Sequence, residues 1–194
     1  MRNILILGAN GQLARNTARY LLEHTDARLR LYLRQASRLK NPDAKRVDIV
    51  EGDVLDQAAL RAAMQGQDVV FASLVGPMAE QARSIVDAMH ATGCRRLIFT
   101  SSMGIYGEVP GERYRNVLDP YRDAAAVVEA SDLDFTVLRP GWFTTDKVVS
   151  YRLTQKGEPF QGYDVSLDSI SDVVTRIVQM PSMHLRSSLG IGKI

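Results

Sequence analysis

The residues best suited to chemistry stand near the start of the chain. Gly8-Ala9-Asn10-Gly11-Gln12-Leu13-Ala14 reads Gly-x-x-Gly-x-x-Ala between an apolar run and an amphipathic stretch. Gly8 is free to take a tight turn, Gly11 lets backbone come close to a diphosphate, and Ala14 allows a helix to sit closely on a sheet. A helix that begins here offers unpaired N–H groups and the positive end of its dipole to phosphate oxygens. Gly8, Asn10, Gly11, Gln12 and Leu13 are therefore the expected diphosphate contacts. A tight turn without a ligand is the plainer alternative, and position in the chain decides between them.

That position follows from the surrounding elements. Apolar runs at 3–7, 29–33, 47–50, 68–72, 97–100 and 135–138 predict strands. Helical patterns lie between them: 11–24, a helix capped by Asp56 that carries Leu60 and Met64, and a helix after Pro77 with Met78, Ala82, Ile85, Val86 and Met89 on one face. An alanine-rich helix follows near 120–130. Strands apolar on both sides and separated by helices predict a Rossmann-type, doubly wound parallel α/β sheet, with its ligand crevice beyond the carboxyl ends of the strands. The glycine turn falls at the first strand–helix junction, which favours a ligand site over a bare turn. Residues 171–180 read as a helix and 151–163 as a hairpin or loop. The expectation is one domain over 1–194, with 141–194 contributing a small substrate-side lobe.

The second strand ends in Leu31-Tyr32-Leu33 and is followed by Arg34, with Arg38 a turn further on. A site for NAD usually places a carboxylate here to accept the ribose 2′-hydroxyl. An arginine instead pairs with a 2′-phosphate, so NADP(H) is expected ahead of NAD(H). Asp53 and Val54, after the third strand, are placed for the adenine amine and ring; the alternative for Asp53 is a helix cap.

Composition narrows the rest. With 24 basic and 22 acidic residues the net charge is +2, and no basic block interleaved with aromatics occurs, so nucleic acid is not an expected partner. No stretch approaches the roughly 20 apolar residues that span a bilayer. One cysteine, Cys94, excludes an internal disulfide and suits a reducing compartment, so a cytoplasmic setting is expected. Three scattered histidines and that cysteine do not have metal-site spacing. His24 and His90 fall on expected helices away from the strand ends and read as structural.

Gly-x-x-Gly-x-x-Ala, the Arg34 turn, Gly52-Asp53-Val54, Phe99-Thr100-Ser101-Ser102 and Leu138-Arg139-Pro140-Gly141 occur in order. Together they resemble the atypical short-chain dehydrogenase/reductase family, in its NAD(P)H-binding group near NmrA-like and flavin-reductase-like proteins. The likeness covers about residues 1–180. It implies that Ala72 and Ser73 lie against the ribose and diphosphate, and that Ser101 and Ser102 lie beside the nicotinamide. It also implies that Pro140 and Gly141 run along the nicotinamide. Ser102 matches the family's catalytic serine, because a Tyr106-Gly107 pair follows it.

The chain departs from that family in one respect. The Tyr-x-x-x-Lys helix, whose tyrosine moves a proton and whose lysine assists it, has no counterpart. Tyr121 is followed four residues on by Ala125, Tyr114 by Leu118, and no lysine occurs between Arg96 and Lys147. A proton would then come from solvent, Ser102, Tyr106 or Tyr121. Trp142 and Phe143 read either as an apolar wall over the nicotinamide or as core or dimer residues. An intact cofactor site beside a depleted proton-transfer site suits hydride transfer to a flat acceptor such as a quinone or flavin. It also suits a non-catalytic redox sensor that acts on a regulatory protein partner. Monomer and dimer are both compatible with the sequence.

Overall fold

A computed structural model describes all 194 residues. The strands β1 (Asn3–Leu7), β2 (Arg28–Leu33), β3 (Val47–Glu51), β4 (Val69–Ala72), β5 (Arg96–Thr100) and β6 (Asp134–Pro140) form the expected parallel sheet. Between them run the helices α1 (Gln12–His24), α2 (Gln57–Met64), α3 (Met78–Thr92) and α4 (Asp119–Ala130). Sequences such as Val-Val-Phe-Ala in β4 are apolar throughout because helices cover both faces. Asp56 caps α2 as expected, its carboxylate accepting the N–H groups of Ala58 and Ala59, each at 3.0 Å.

After β6 come β7 (Trp142–Thr144), β8 (Arg152–Gln155), β9 (Asp164–Ser166), α5 (Leu167–Gln179) and β10 (Ser187–Gly192). The main sheet has the order β3-β2-β1-β4-β5-β6-β10-β8, parallel except where β8 meets β10. One apolar layer joins α1 and α5 to the sheet and a second joins α2, α3 and α4 to the opposite face, each with 25 buried residues. Sheet growth reverses between β1 and β4, and the crevice expected at such a switch point opens above their carboxyl ends.

Residues 141–194 divide rather than forming a lobe of their own. Leu189 and Ile191 of β10 are fully buried, so burial draws that strand into the main sheet. Arg152–Gln155, expected within a hairpin or loop, is the sheet's eighth strand. Only the β7–β9 ribbon and its flanking loops stand over the strand ends.

Candidate functional site

Two cavities lie side by side at the carboxyl ends of the strands. The larger, about 690 Å³, is lined by the β1–α1 turn, the ends of β2 and β3, and the segment after β4. Gly8 has φ +75°, and a Cβ on it would lie 2.2 Å from the Ser73 carbonyl oxygen. Only glycine lets the first turn meet the turn after β4 so closely. Gly11 is the extended N-cap of α1 and carries no side chain to occupy the helix amides; no acid stands in the first turn. The N–H groups of Gln12, Leu13 and Ala14 therefore have no partner within the helix, the condition a diphosphate needs. Across the cleft, the Gln81 side-chain amide nitrogen donates to the Val75 carbonyl at 3.2 Å, while its buried oxygen accepts nothing. Free amides, a glycine cradle and an orphaned buried acceptor fit a dinucleotide.

The end of the cleft beyond β2 and β3 has its own framework. Arg34 and Arg38 both line the cleft, are exposed, and have no carboxylate partner. The nearby acid, Glu51, is engaged with the Ala36 N–H at 2.7 Å, which fixes the loop between the two arginines. Arg15 donates to the Asn10 side chain and reaches the Arg38 carbonyl, so it ties the glycine turn to that loop. Asn10 thus braces the turn as well as lining the cleft. Asp53 and Val54 line the cleft together. One Asp53 oxygen accepts the Leu55 N–H at 2.9 Å and its second accepts nothing, so Asp53 is only partly spent on its local turn. Tyr32 forms the floor: its hydroxyl donates to the Asp53 carbonyl at 2.9 Å, and burial near Asp56 and Asp53 pushes its pKa up to about 12.

The smaller cavity, about 210 Å³, opens beyond β5 and β6. Ser102, Met103, Tyr121, Pro140, Gly141 and Trp142 line it with residues of the 107–118 segment. Ser102 donates to the Met103 carbonyl at 3.1 Å. Successive residues of a strand point to opposite sides, so β7 sends Trp142 into this cavity and Phe143 into the dinucleotide cleft. Both aromatics are about half exposed, as a wall between two cavities rather than as core.

Three expected contacts lie elsewhere. Ala72 is fully buried in the apolar layer, and Ser73 alone of that pair reaches the cleft. Ser101 is buried and its hydroxyl donates to the Tyr121 carbonyl at 3.1 Å, which makes it a strut between β5 and α4. Tyr106, expected beside the acceptor, does not line the smaller cavity. Its hydroxyl bonds to Glu129 and Ser188, and the centre of its ring is 5.0 Å from the Arg139 guanidinium and 4.4 Å from the Lys156 ammonium. Burial and the Glu129 hydrogen bond drive its pKa well above that of an ordinary tyrosine, so it holds its proton. Cys94 is buried in the second apolar layer, and burial raises its thiol pKa to about 11, which suits a structural residue.

Sequence reasoning also missed a brace beneath the smaller cavity. Arg139 is fully buried in β6 and pairs with Glu108, whose carboxylate also accepts the N–H groups of Gly104 and Tyr106 at 3.0 and 2.9 Å. Arg139 donates as well to the Ser188 hydroxyl at 3.1 Å. One ion pair thereby fixes the loop that carries Ser102 against β6 and β10.

The NAD(P)H-binding family profile matches residues 8–181. Quinone oxidoreductase 2 of Escherichia coli (strain K12) is 26% identical over 151 residues, covering 76% of this chain and 51% of that protein. The NAD(P)H azoreductase of Xenophilus azovorans is 23% identical over 158 residues, covering 80% and 54%. The chain thus spans about half the length of the curated relatives it matches. Solved structures match more fully. A Rossmann-fold NAD(P)-binding family protein from Shigella flexneri superposes with a TM-score of 0.88 at 41% identity, covering 100% of this chain and 94% of that one. A short-chain dehydrogenase/reductase from Veillonella parvula DSM 2008, solved in complex with NADP, gives 0.90 at 29% identity, covering 99% and 94%.

Proposed function

The chain belongs to the NAD(P)H-binding family, among relatives of the short-chain dehydrogenases/reductases, and on that premise we propose that it is an NADP(H)-dependent reductase of a flat, conjugated acceptor such as a quinone or flavin. A single observation carries the reading: a donor-rich dinucleotide cleft and an aromatic-walled cavity share one partition, Trp142-Phe143. Quinone and azo-compound reductases among the relatives accord with it. A reducing cytoplasm suits the lone buried cysteine.

A bound reduced nicotinamide supplies hydride. The chain's own part is to orient and to exclude. The amides of Gln12 and Leu13 hold the diphosphate, and Arg34 and Arg38 hold the 2′-phosphate. Asp53 and Val54 flank the adenine, Ser73 meets the ribose–diphosphate, and Pro140 and Gly141 border the nicotinamide. Trp142 shields the reacting face from water. Ser102, with its hydroxyl free to turn from the Met103 carbonyl, donates a hydrogen bond to the acceptor oxygen. Tyr121 stands in the same cavity as the second hydroxyl. An electron-poor ring needs little more, which is compatible with the missing Tyr-x-x-x-Lys pair.

Mixing the protein with NADPH and a panel of quinones and flavins, and following absorbance at 340 nm, tests the reading; tight NADPH binding with no turnover of any acceptor overturns it. That outcome would favour the redox sensor, for which the absent lysine is the specific support. A sensor should bind NADPH and NADP⁺ with affinities about 5- to 150-fold apart.

Two substitutions test the assigned roles. Arg34→Asp should weaken NADPH binding at least about tenfold, through loss of a charge-assisted contact and gain of repulsion, while sparing NADH. Equal losses for the two nucleotides in paired titrations would refute the 2′-phosphate contact. Ser102→Ala should lower kcat about tenfold, the loss of one hydrogen bond to developing charge, with little change in NADPH affinity.

A further inference from the structure

We propose that the smaller cavity selects anionic acceptors, conjugated rings that carry a carboxylate, sulfonate or phosphate, through Arg113 and Arg115. The inference rests on reading that cavity as the acceptor site. Both arginines line it and are exposed, and neither guanidinium has a carboxylate or hydrogen-bonding partner. Other arginines nearby are engaged: Arg122 pairs with Asp119 and Asp123, and Arg139 with Glu108. Glu112 is the one carboxylate among the lining residues, so positive charge is in excess at the mouth.

The segment that presents these arginines is anchored. The Tyr114 hydroxyl donates to Asp119 at 2.7 Å, and the Arg122 guanidinium lies 5.5 Å from the centre of the Tyr114 ring. The Leu118 N–H donates to the Arg115 carbonyl at 2.9 Å, and the Glu112 N–H to the Val109 carbonyl at 3.2 Å. Behind the cationic rim the lining is apolar or aromatic: Val109, Val117, Leu118, Tyr121 and Trp142. A slot for a flat apolar body with two unpaired guanidinium groups at its edge matches an aromatic anion. These arginines do not line the dinucleotide cleft, whose own cations are Arg34 and Arg38, so cofactor phosphates do not account for them.

Trp142 is the only tryptophan and lines this cavity, so its fluorescence reports occupancy without turnover. The probes are 2-(hydroxymethyl)anthraquinone and anthraquinone-2-sulfonate, titrated into the NADP⁺-loaded full chain. At about 0.01 M ionic strength the sulfonate should bind about tenfold more tightly, and the advantage should vanish near about 1 M, where the screening length falls to roughly 3 Å. In R113Q/R115Q the ratio of the two affinities should fall towards one. Equal binding of the probes by the unaltered protein, an advantage that survives high salt, or a ratio retained in a folded R113Q/R115Q variant overturns the proposal. Should that variant fail to fold, the salt dependence of the unaltered protein decides alone. Preferential sulfonate binding without hydride transfer would overturn the reductase reading and leave anion selection standing.

Discussion

Gly11→Asp should abolish dinucleotide binding, raising the Kd for NADPH by more than about 100-fold, while leaving the protein folded. The two halves of this expectation have one cause. Gly11 is the N-cap of α1 with φ −65° and ψ 153°, a conformation any residue adopts. A Cβ there would meet the Gly8 carbonyl oxygen at 3.3 Å, a crowding that a shift of a few tenths of an ångström relieves. Aspartate is a favoured N-cap, stabilising a helix by about 1 kcal/mol through the first-turn amides and the dipole. The same carboxylate would fill the amides that a diphosphate uses and bring like charge against it; losing about 3 kcal/mol corresponds to the stated factor. Thermal melting should move by no more than a few degrees while a fluorescence titration with NADPH shows no saturation. Retained affinity would show that the diphosphate does not sit on α1.

Glu108→Ala should have the largest effect on stability. It leaves Arg139, with no exposed side-chain surface, as an unpaired buried charge, and strips the Gly104 and Tyr106 N–H groups of their acceptor. Breaking one partner of a buried pair costs about 3–5 kcal/mol. In a domain of this size that lowers Tm by about 6–20 °C. Arg139→Met should cost less, because it removes the buried charge and leaves Glu108 its two amide donors. The Glu108→Ala/Arg139→Met double variant should be more stable than the sum of the two losses implies, since the penalty of an unpaired charge cannot be incurred twice. Additive losses in denaturant titrations would mean that the two residues act independently.

How far these features were legible depends on how local their causes are. The glycine turn, Asp56 and the arginines after β2 declare themselves because each acts within a few residues of its own position. Ala72 and Ser101 lie at strand ends, where one residue's difference decides between crevice and interior, and the apolar sequence cannot give that parity. Gly104 and Gly107 line the smaller cavity while Tyr106 between them turns its side chain away, to Glu129 and Ser188, partners 23 and 82 residues distant that no local pattern reveals. Arg139 reads as one letter of a family motif; its partner is 31 residues away, and nothing local announces the pair. The acceptor-side arginines stand in a segment without periodicity, and only its anchoring through Tyr114 shows which way it faces.

The placement of β10 has a consequence for how the molecule is made. It is inserted between β6 and β8, two strands that precede it in the chain and do not touch one another. Until it arrives, β6 presents a bare row of N–H and C=O groups, and β8 has nothing to pair with. A nascent or partly refolded chain therefore passes through a stage with an open sheet edge, the kind of surface on which chains join one another. Crowded synthesis or concentrated refolding is where such association should be strongest, and a mutation that delays the last strand would be felt as lost yield before it was felt as lost activity.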